Sequence, residues 1–112
     1  MRTRNILSPS LESLLREIIA VNHSWKWVRE HHGADADLAA ALRDLKSRLQ
    51  VRLLRAHPER VRLVTDPEAT EEPLFSVRLT PPVGGRRDAE HLPVRVAERL
   101  LSPDELRLFT RS

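Results

Sequence analysis

The stretch LLRAHPERVRLVT, residues 53–65, decides the fold class because the spacing of its apolar residues changes within it. Before Pro58, apolar residues recur at threes and fours, which is the period of an amphipathic helix. After Pro58, Val61 and Leu63 alternate with arginines, which is the period of a strand with one buried face. Proline ends a helix and so separates the two patterns. The sequence therefore predicts a fold that contains both helices and strands.

The segment nearest the N-terminus predicts one long helix over about residues 9–32. Ser8-Pro9 fits the cap and first position of a helix, and Gly33 fits a left-handed C-terminal cap. Asn22-His23-Ser24 are weak helix formers that could cap a break, but the apolar stripe passes through them in register. We therefore expect a single helix. Its stripe consists of Leu11, Leu14, Ile18, Val21, Trp25 and Val28.

A second amphipathic helix precedes Pro58. Asp35 or Asp37 is placed to cap its N-terminus, and proline lies just past its end. The link to the first helix is short, so the two helices are expected to pack antiparallel as a helical hairpin over residues 9–57. The apolar stripe expected to face the first helix consists of Leu38, Leu42, Leu45, Leu49, Leu53 and Ala56.

Beyond the helices, residues 59–80 predict a β-hairpin with a long loop. In its second strand, Phe75, Val77 and Leu79 alternate with more polar residues, and prolines lie in the connecting loop. Residues 81–91 contain two prolines and two glycines and are expected to form a linker.

The C-terminal segment, residues 92–112, contains one ambiguous and one clear element. Residues 92–100 fit either a strand or a helix. Ser102-Pro103-Asp104-Glu105 has the pattern of a capping box, which predicts a short helix over about residues 103–109. Together these elements predict one α+β domain of 112 residues: an N-terminal antiparallel helical hairpin, a β-hairpin and a short C-terminal helical segment.

Composition argues against several classes of activity. The chain has no cysteine, which excludes disulfides, thiolate zinc sites and cysteine nucleophiles. His31 and His32 are adjacent, and they lack the i, i+4 spacing by which two helical histidines share a metal. The sequence contains no phosphate-loop or Gly-x-Ser-x-Gly motif. We therefore predict a protein that is not an enzyme and binds neither metal nor cofactor.

The N-terminus lacks an apolar segment of signal-peptide length, and no stretch approaches the roughly 20 apolar residues that span a bilayer. These features predict a cytoplasmic protein that does not enter a membrane.

Charge supplies the main functional hypothesis. Residues 45–64 carry a net charge of +5, whereas the adjacent residues 65–73 carry −4. All but two of the 19 basic residues are arginines, which suit bidentate phosphate recognition, although codon usage in a GC-rich genome would also enrich arginine. The arginines run from the second helix onto the first strand, and we expect them to contact nucleic-acid phosphates. The candidate contacts are Arg48, Arg52, Arg55, Arg60, Arg62 and Lys46.

The order of helix, proline turn and basic hairpin in residues 53–64 is similar in pattern to the end of a winged-helix module. The long first helix departs from that fold, so no family is assigned.

Protein contact is the alternative hypothesis. The chain would then be an adaptor or a partner-inhibiting protein that docks through its helical hairpin, because complementary charge also steers protein partners. Trp27, Val51 and Leu54 lie off the main apolar stripes and need a cover, which either the β-hairpin or a second subunit could provide. On that basis we predict a homodimer.

Overall fold

A computed structural model describes residues 10–33 and 36–111, and within them the chain forms four helices and a three-stranded antiparallel sheet. The elements are α1 (Leu11–His32), α2 (Asp37–Ala56), β1 (Val61–Thr65), β2 (Leu74–Val83), β3 (Arg86–Pro93), α3 (Val94–Leu100) and α4 (Pro103–Thr110). The predicted α+β class and the order of helical pair, hairpin and C-terminal helix are confirmed.

Helix α1 is continuous, as predicted. Ser10 is its N-cap, and the Ser10 hydroxyl accepts a hydrogen bond from the Ser13 N–H at 3.0 Å. The predicted cap at Ser8-Pro9 lies outside the described residues. Gly33 ends the helix at a φ of 93°, and its N–H donates to the Arg29 carbonyl at 3.0 Å. Positive φ suits glycine because glycine has no Cβ.

Helix α2 has the expected length, but its predicted stripe is partly wrong. Leu38 and Leu45 are 56 % and 44 % exposed. Ala36 occupies the N-cap and makes no side-chain cap bond, so Asp37 does not cap the helix, and Asp35 lies outside the described residues. The C-terminal half of α2 is covered on two sides, because α2 contacts α1, α3, β1 and β3. The buried residues of α2 are Ala39, Lys46, Ser47, Leu49, Gln50, Val51, Leu53 and Leu54.

The sheet has the order β1-β2-β3 and packs one face against the helices. The predicted hairpin is confirmed, with Val61 opposite Leu79 and Leu63 opposite Val77 in an antiparallel register. These four side chains are buried in the core with residues of α1 and α2. Helix α1 contacts β3 and α4 contacts β1, so the helices cover the inner face of the sheet.

The prediction of a linker over residues 81–91 is wrong. This segment forms the end of β2, a tight turn and most of β3. Gly84 and Gly85 have φ values of 56° and 81° between the paired residues Val83 and Arg86. Two consecutive positive φ values characterise the two-residue turns that join antiparallel strands. The glycines that indicated a linker therefore form a hairpin turn.

A β-bulge in β3 explains why the spacing of apolar residues did not predict this strand. One residue of β2 lies between Ser76 and Arg78, whereas two residues of β3 lie between their partners Asp88 and His91. Glu90 lies in this irregular stretch with a φ of 66°. The extra residue breaks the alternation of inward and outward side chains, so a strand prediction based on a period of two fails.

The C-terminal segment contains both alternatives left open by the sequence. Leu92 and Pro93 complete β3, and Pro93 is also the N-cap residue of α3. The predicted capping box of α4 is confirmed. The Ser102 hydroxyl accepts from the Glu105 N–H at 3.1 Å, and the Glu105 carboxylate accepts from the Ser102 N–H at 3.0 Å.

Candidate functional site

The arginines predicted on α2 lie on its exposed side. Arg48 forms an ion pair with Asp44 at 2.9 Å. Arg55 forms a two-pronged ion pair with Glu105 at 2.8 and 3.0 Å. The hydrogen bond from Arg55 holds the pKa of the Glu105 carboxyl below its usual range. Arg52 is exposed and has no ion-pair partner in the part of the chain that the structure describes.

The arginines predicted on the hairpin do not continue this surface. Arg62 lies opposite Arg78 on the outer face of the sheet, because its neighbours Val61 and Leu63 point into the core. The Arg60 guanidinium donates to the Thr80 carbonyl at 3.1 Å. The structure therefore does not bring the helix and strand arginines onto one surface.

Other arginines join those of α2 along its seam with α3. One depression, of about 190 Å³, is lined by residues that include Arg43, Asp44 and Arg99. The next, of about 370 Å³, is lined by Arg48, Val51, Arg52, Arg55 and Leu100. The ion pair between Asp44 and Arg48 links the two depressions. We define the arginine surface as Arg43, Arg48, Arg52, Arg55, Arg95 and Arg99.

Half of the arginines on the arginine surface have no carboxylate partner among the residues that the structure describes. Arg48, Arg55 and Arg95 pair with Asp44, Glu105 and Glu72 respectively. Arg43, Arg52 and Arg99 form no ion pair with any residue of the described ranges 10–33 and 36–111. These three guanidinium groups remain able to bind an external anion. Arg95 and Arg99 were not predicted from the sequence, because they lie in residues 92–100, whose pattern fits either a strand or a helix.

Lys46 does not belong to this surface. Its side chain is buried, with 7 % of the residue exposed, and its ammonium donates to the Asn22 Oδ1 at 3.0 Å. The Lys46 Nζ also lies 4.7 Å from the centre of the Trp25 ring. The Arg29 guanidinium lies 4.4 Å from the same ring. Cations near an indole ring are attracted to its electron-rich face.

Lys46 and Trp25 line an open cleft of about 570 Å³ between the helical hairpin and the acidic β1–β2 loop. Burial is the main cause that lowers the pKa of the Lys46 ammonium from its ordinary value of 10.5, and Glu90 opposes this effect. Lys26, Arg43 and Arg29 lower the pKa further by repulsion. A group in a cleft whose pKa is shifted by burial and by neighbouring charges is a candidate functional residue. The sequence feature that could have indicated this site is Asn22, a polar residue between the apolar positions of α1 that is buried in the structure.

The lowered pKa of Lys46 predicts a specific pH dependence of stability. In the unfolded chain, Lys46 is expected to keep its proton up to its ordinary pKa of 10.5. In the folded protein the pKa is lower, so there is a pH window below 10.5 in which Lys46 has lost its proton in the folded state only. The unfolded state then binds more protons, so the free energy of unfolding rises with pH in this window. Urea unfolding between neutral and alkaline pH should show this rise in the wild type and lose it in Lys46→Met. Lys26→Met, at an exposed lysine, should retain most of the rise, because burial is the main cause of the lowered Lys46 pKa and repulsion by Lys26 is a smaller one. Equal pH profiles for wild type and Lys46→Met would contradict this assignment.

Comparisons of the chain with models of protein families, with curated proteins and with solved structures found no match. None of the helices in the described part of the chain combines the length and apolar character needed to cross a bilayer.

Proposed function

We propose that this protein is a non-enzymatic, nucleic-acid-binding regulatory protein of the cytoplasm that contacts phosphates through the arginine surface. The observation that supports the proposal is a group of three arginines along the α2–α3 seam that form no ion pair with the described residues, namely Arg43, Arg52 and Arg99. Guanidinium groups bind phosphate oxygens in a two-pronged geometry that lysine cannot reproduce.

The ion-paired arginines contribute less to this function. Arg48 is exposed, and its pair with Asp44 is a surface pair that a phosphate can replace at low cost. Arg55 also donates to the Leu100 carbonyl at 3.2 Å, so it connects α2 to the C-terminal helices as well as to Glu105. Arg55 is therefore a poor residue for testing phosphate contact, because its replacement also removes structural bonds.

Arg52→Gln combined with Arg99→Gln tests the proposal. Each neutralised phosphate releases counterions, so the logarithm of affinity falls linearly with the logarithm of salt concentration. Loss of two phosphate contacts should flatten this slope by about 1.8 on duplex DNA. Fluorescence anisotropy with a labelled random-sequence duplex, measured across a salt series, gives the slope for each variant.

A matched control removes the same charge elsewhere. Arg62→Gln with Arg87→Gln lowers the net charge equally, but both residues are exposed and associated with the sheet rather than the seam. The control should retain the wild-type slope. The proposal fails if the two double variants weaken binding equally, or if neither duplex DNA nor RNA binds at low salt.

A second candidate function, docking to another protein, is favoured by exposed apolar residues on α2. Leu38 and Leu45 are seven residues apart and therefore lie two turns apart on one side of the helix. Both are exposed, as is Trp27 on α1. Val51 and Leu54, which had suggested a dimer interface, are buried within the single chain.

We propose a homodimer as the form that such docking takes, with Leu38 and Leu45 at the two-fold interface. Multi-angle light scattering at high micromolar concentration should give twice the chain mass of 12.9 kDa. Leu38→Glu with Leu45→Glu should return the mass to that of one chain. A wild-type mass of one chain at this concentration would refute the dimer.

A further inference from the structure

Lys46 is a buried cation that forms no ion pair with any residue of the described part of the chain. Buried charges in proteins are normally neutralised, because an uncompensated ion loses its hydration. The contacts of the Lys46 ammonium are the Asn22 Oδ1 and the Trp25 ring, and neither carries a formal charge. Glu90 is the carboxylate that acts on Lys46, but its Oε2 accepts a hydrogen bond from Arg86 at 2.8 Å. The site therefore has an unmet requirement for negative charge.

The cations around Lys46 increase this requirement. Lys26, Arg29 and Arg43 all line the same cleft and all repel the Lys46 ammonium. None of the four cations forms an ion pair within the described residues. One wall of the cleft, built from α1 and α2, thus carries concentrated positive charge.

The opposite wall carries negative charge. It is formed by the β1–β2 loop, whose start is held by a hydrogen bond from the Asp66 N–H to the Leu74 carbonyl at 2.9 Å. Asp66 and Glu72 are paired with His91 and Arg95. The carboxylates of Glu68 and Glu71 have no ion-pair partner among residues 10–33 and 36–111. No ion pair between described residues joins the two walls across the cleft.

From this separation of charge we propose that the cleft binds a small zwitterionic molecule of the amino-acid class. Its carboxylate lies against the wall formed by Lys46, Arg29 and Lys26, and its ammonium group faces Glu68 and Glu71. A volume of about 570 Å³ is sufficient for such a molecule. A phosphate dianion fits less well, because the loop carboxylates repel it. A carboxylate without an ammonium group neutralises the basic wall but supplies no positive charge to the carboxylates of the loop.

Trp25 provides a direct measurement of binding. The chain contains two tryptophans and no tyrosine, so Trp27→Phe leaves Trp25 as the single indole. Trp27 is exposed, stacks on His31 and does not line the cleft. Trp25 emission is followed during titration of the Trp27→Phe protein with glycine, 4-aminobutyrate and 6-aminohexanoate. The matched probes that lack the ammonium group are acetate, butyrate and hexanoate, and inorganic phosphate is a further probe.

We expect a saturable change in emission with at least one amino acid, and binding of its matched carboxylate at least about tenfold weaker, since the carboxylate lacks the charged hydrogen bond to the loop glutamates. Lys46→Met in the same background should abolish binding. Glu68→Gln with Glu71→Gln should reduce affinity for the amino acid to that of the matched carboxylate. These two glutamates are exposed, so this variant tests the site even if Lys46→Met disturbs the fold.

Three results would overturn the proposal. The first is the absence of a saturable response to any of the amino acids. The second is equal or tighter binding of the matched carboxylates or of phosphate. The third is unchanged amino-acid affinity in the Glu68→Gln, Glu71→Gln variant.

Discussion

Leu54→Ala is expected to destabilise the folded chain by about 2–5 kcal/mol, the range observed when a fully buried leucine is truncated. Leu54 is 0 % exposed and belongs to the core shared by the helices and the sheet. Because Leu54 is buried by residues of its own chain, the decrease in the free energy of unfolding should not depend on protein concentration. Urea unfolding at two concentrations tenfold apart measures both properties.

Leu108→Ala on α4 is the control at an exposed leucine outside the proposed dimer interface. Its side chain is largely exposed, so truncation should change the free energy of unfolding by less than about 1 kcal/mol. A loss for Leu54→Ala that shrinks as protein concentration rises would instead indicate that a second subunit covers this residue.

Gln50→Leu is expected to cost about 1–3 kcal/mol, because it removes a buried amide that donates to two carbonyl groups of β3. The Gln50 side chain is fully buried, and its amide donates to the Ala89 carbonyl at 2.8 Å and the His91 carbonyl at 3.2 Å. These bonds connect α2 to the bulged part of β3. Leucine keeps similar bulk but removes both donors, so the loss reports on hydrogen bonding rather than on a cavity.

Two measurements check the Gln50 prediction. Urea unfolding gives the global loss, and hydrogen exchange should show faster exchange concentrated in residues 86–93. Ser47→Ala, one turn away on α2, removes a hydroxyl that donates to the Arg43 carbonyl within the helix at 3.1 Å and should leave β3 protection unchanged. Stability of Gln50→Leu within about 0.5 kcal/mol of wild type would show that the two carbonyls do not depend on Gln50.

The elements with regular periodicity could be predicted from the sequence. The apolar stripe of α1, the alternation in β1 and β2 and the capping box of α4 each depend on local spacing, and the last two are confirmed. The α1 stripe is buried except at Val21 and Trp25, which are only partly buried, and Trp25 lines the open cleft. β3 could not be predicted, because its glycine turn has the composition of a linker and its bulge removes the alternation.

The buried face of α2 depends on tertiary packing rather than on local pattern. A stripe with helical spacing identifies one apolar side, but α2 is covered by α1 and by the sheet on different sides. Leu45 is therefore exposed while its neighbour Lys46 is buried. Tertiary packing also divides the arginines of the predicted basic segment, because those on α2 and those on β1 lie on different surfaces although they are close in sequence. Arg99 is distant from the α2 arginines in sequence and lies beside them only in the folded chain.

The bonds from Gln50 to β3 also bear on self-association. β3 is an edge strand, and unpaired carbonyls on an edge can template the addition of a strand from another molecule. Gln50 occupies the carbonyls of Ala89 and His91, and the bulge at Glu90 bends the edge out of a regular ladder. The opposite edge, β1, is only five residues long and carries an exposed arginine at Arg62. The two sheet edges are thus protected in different ways against fibril-like stacking, one by a glutamine from a helix and the other by short length and charge.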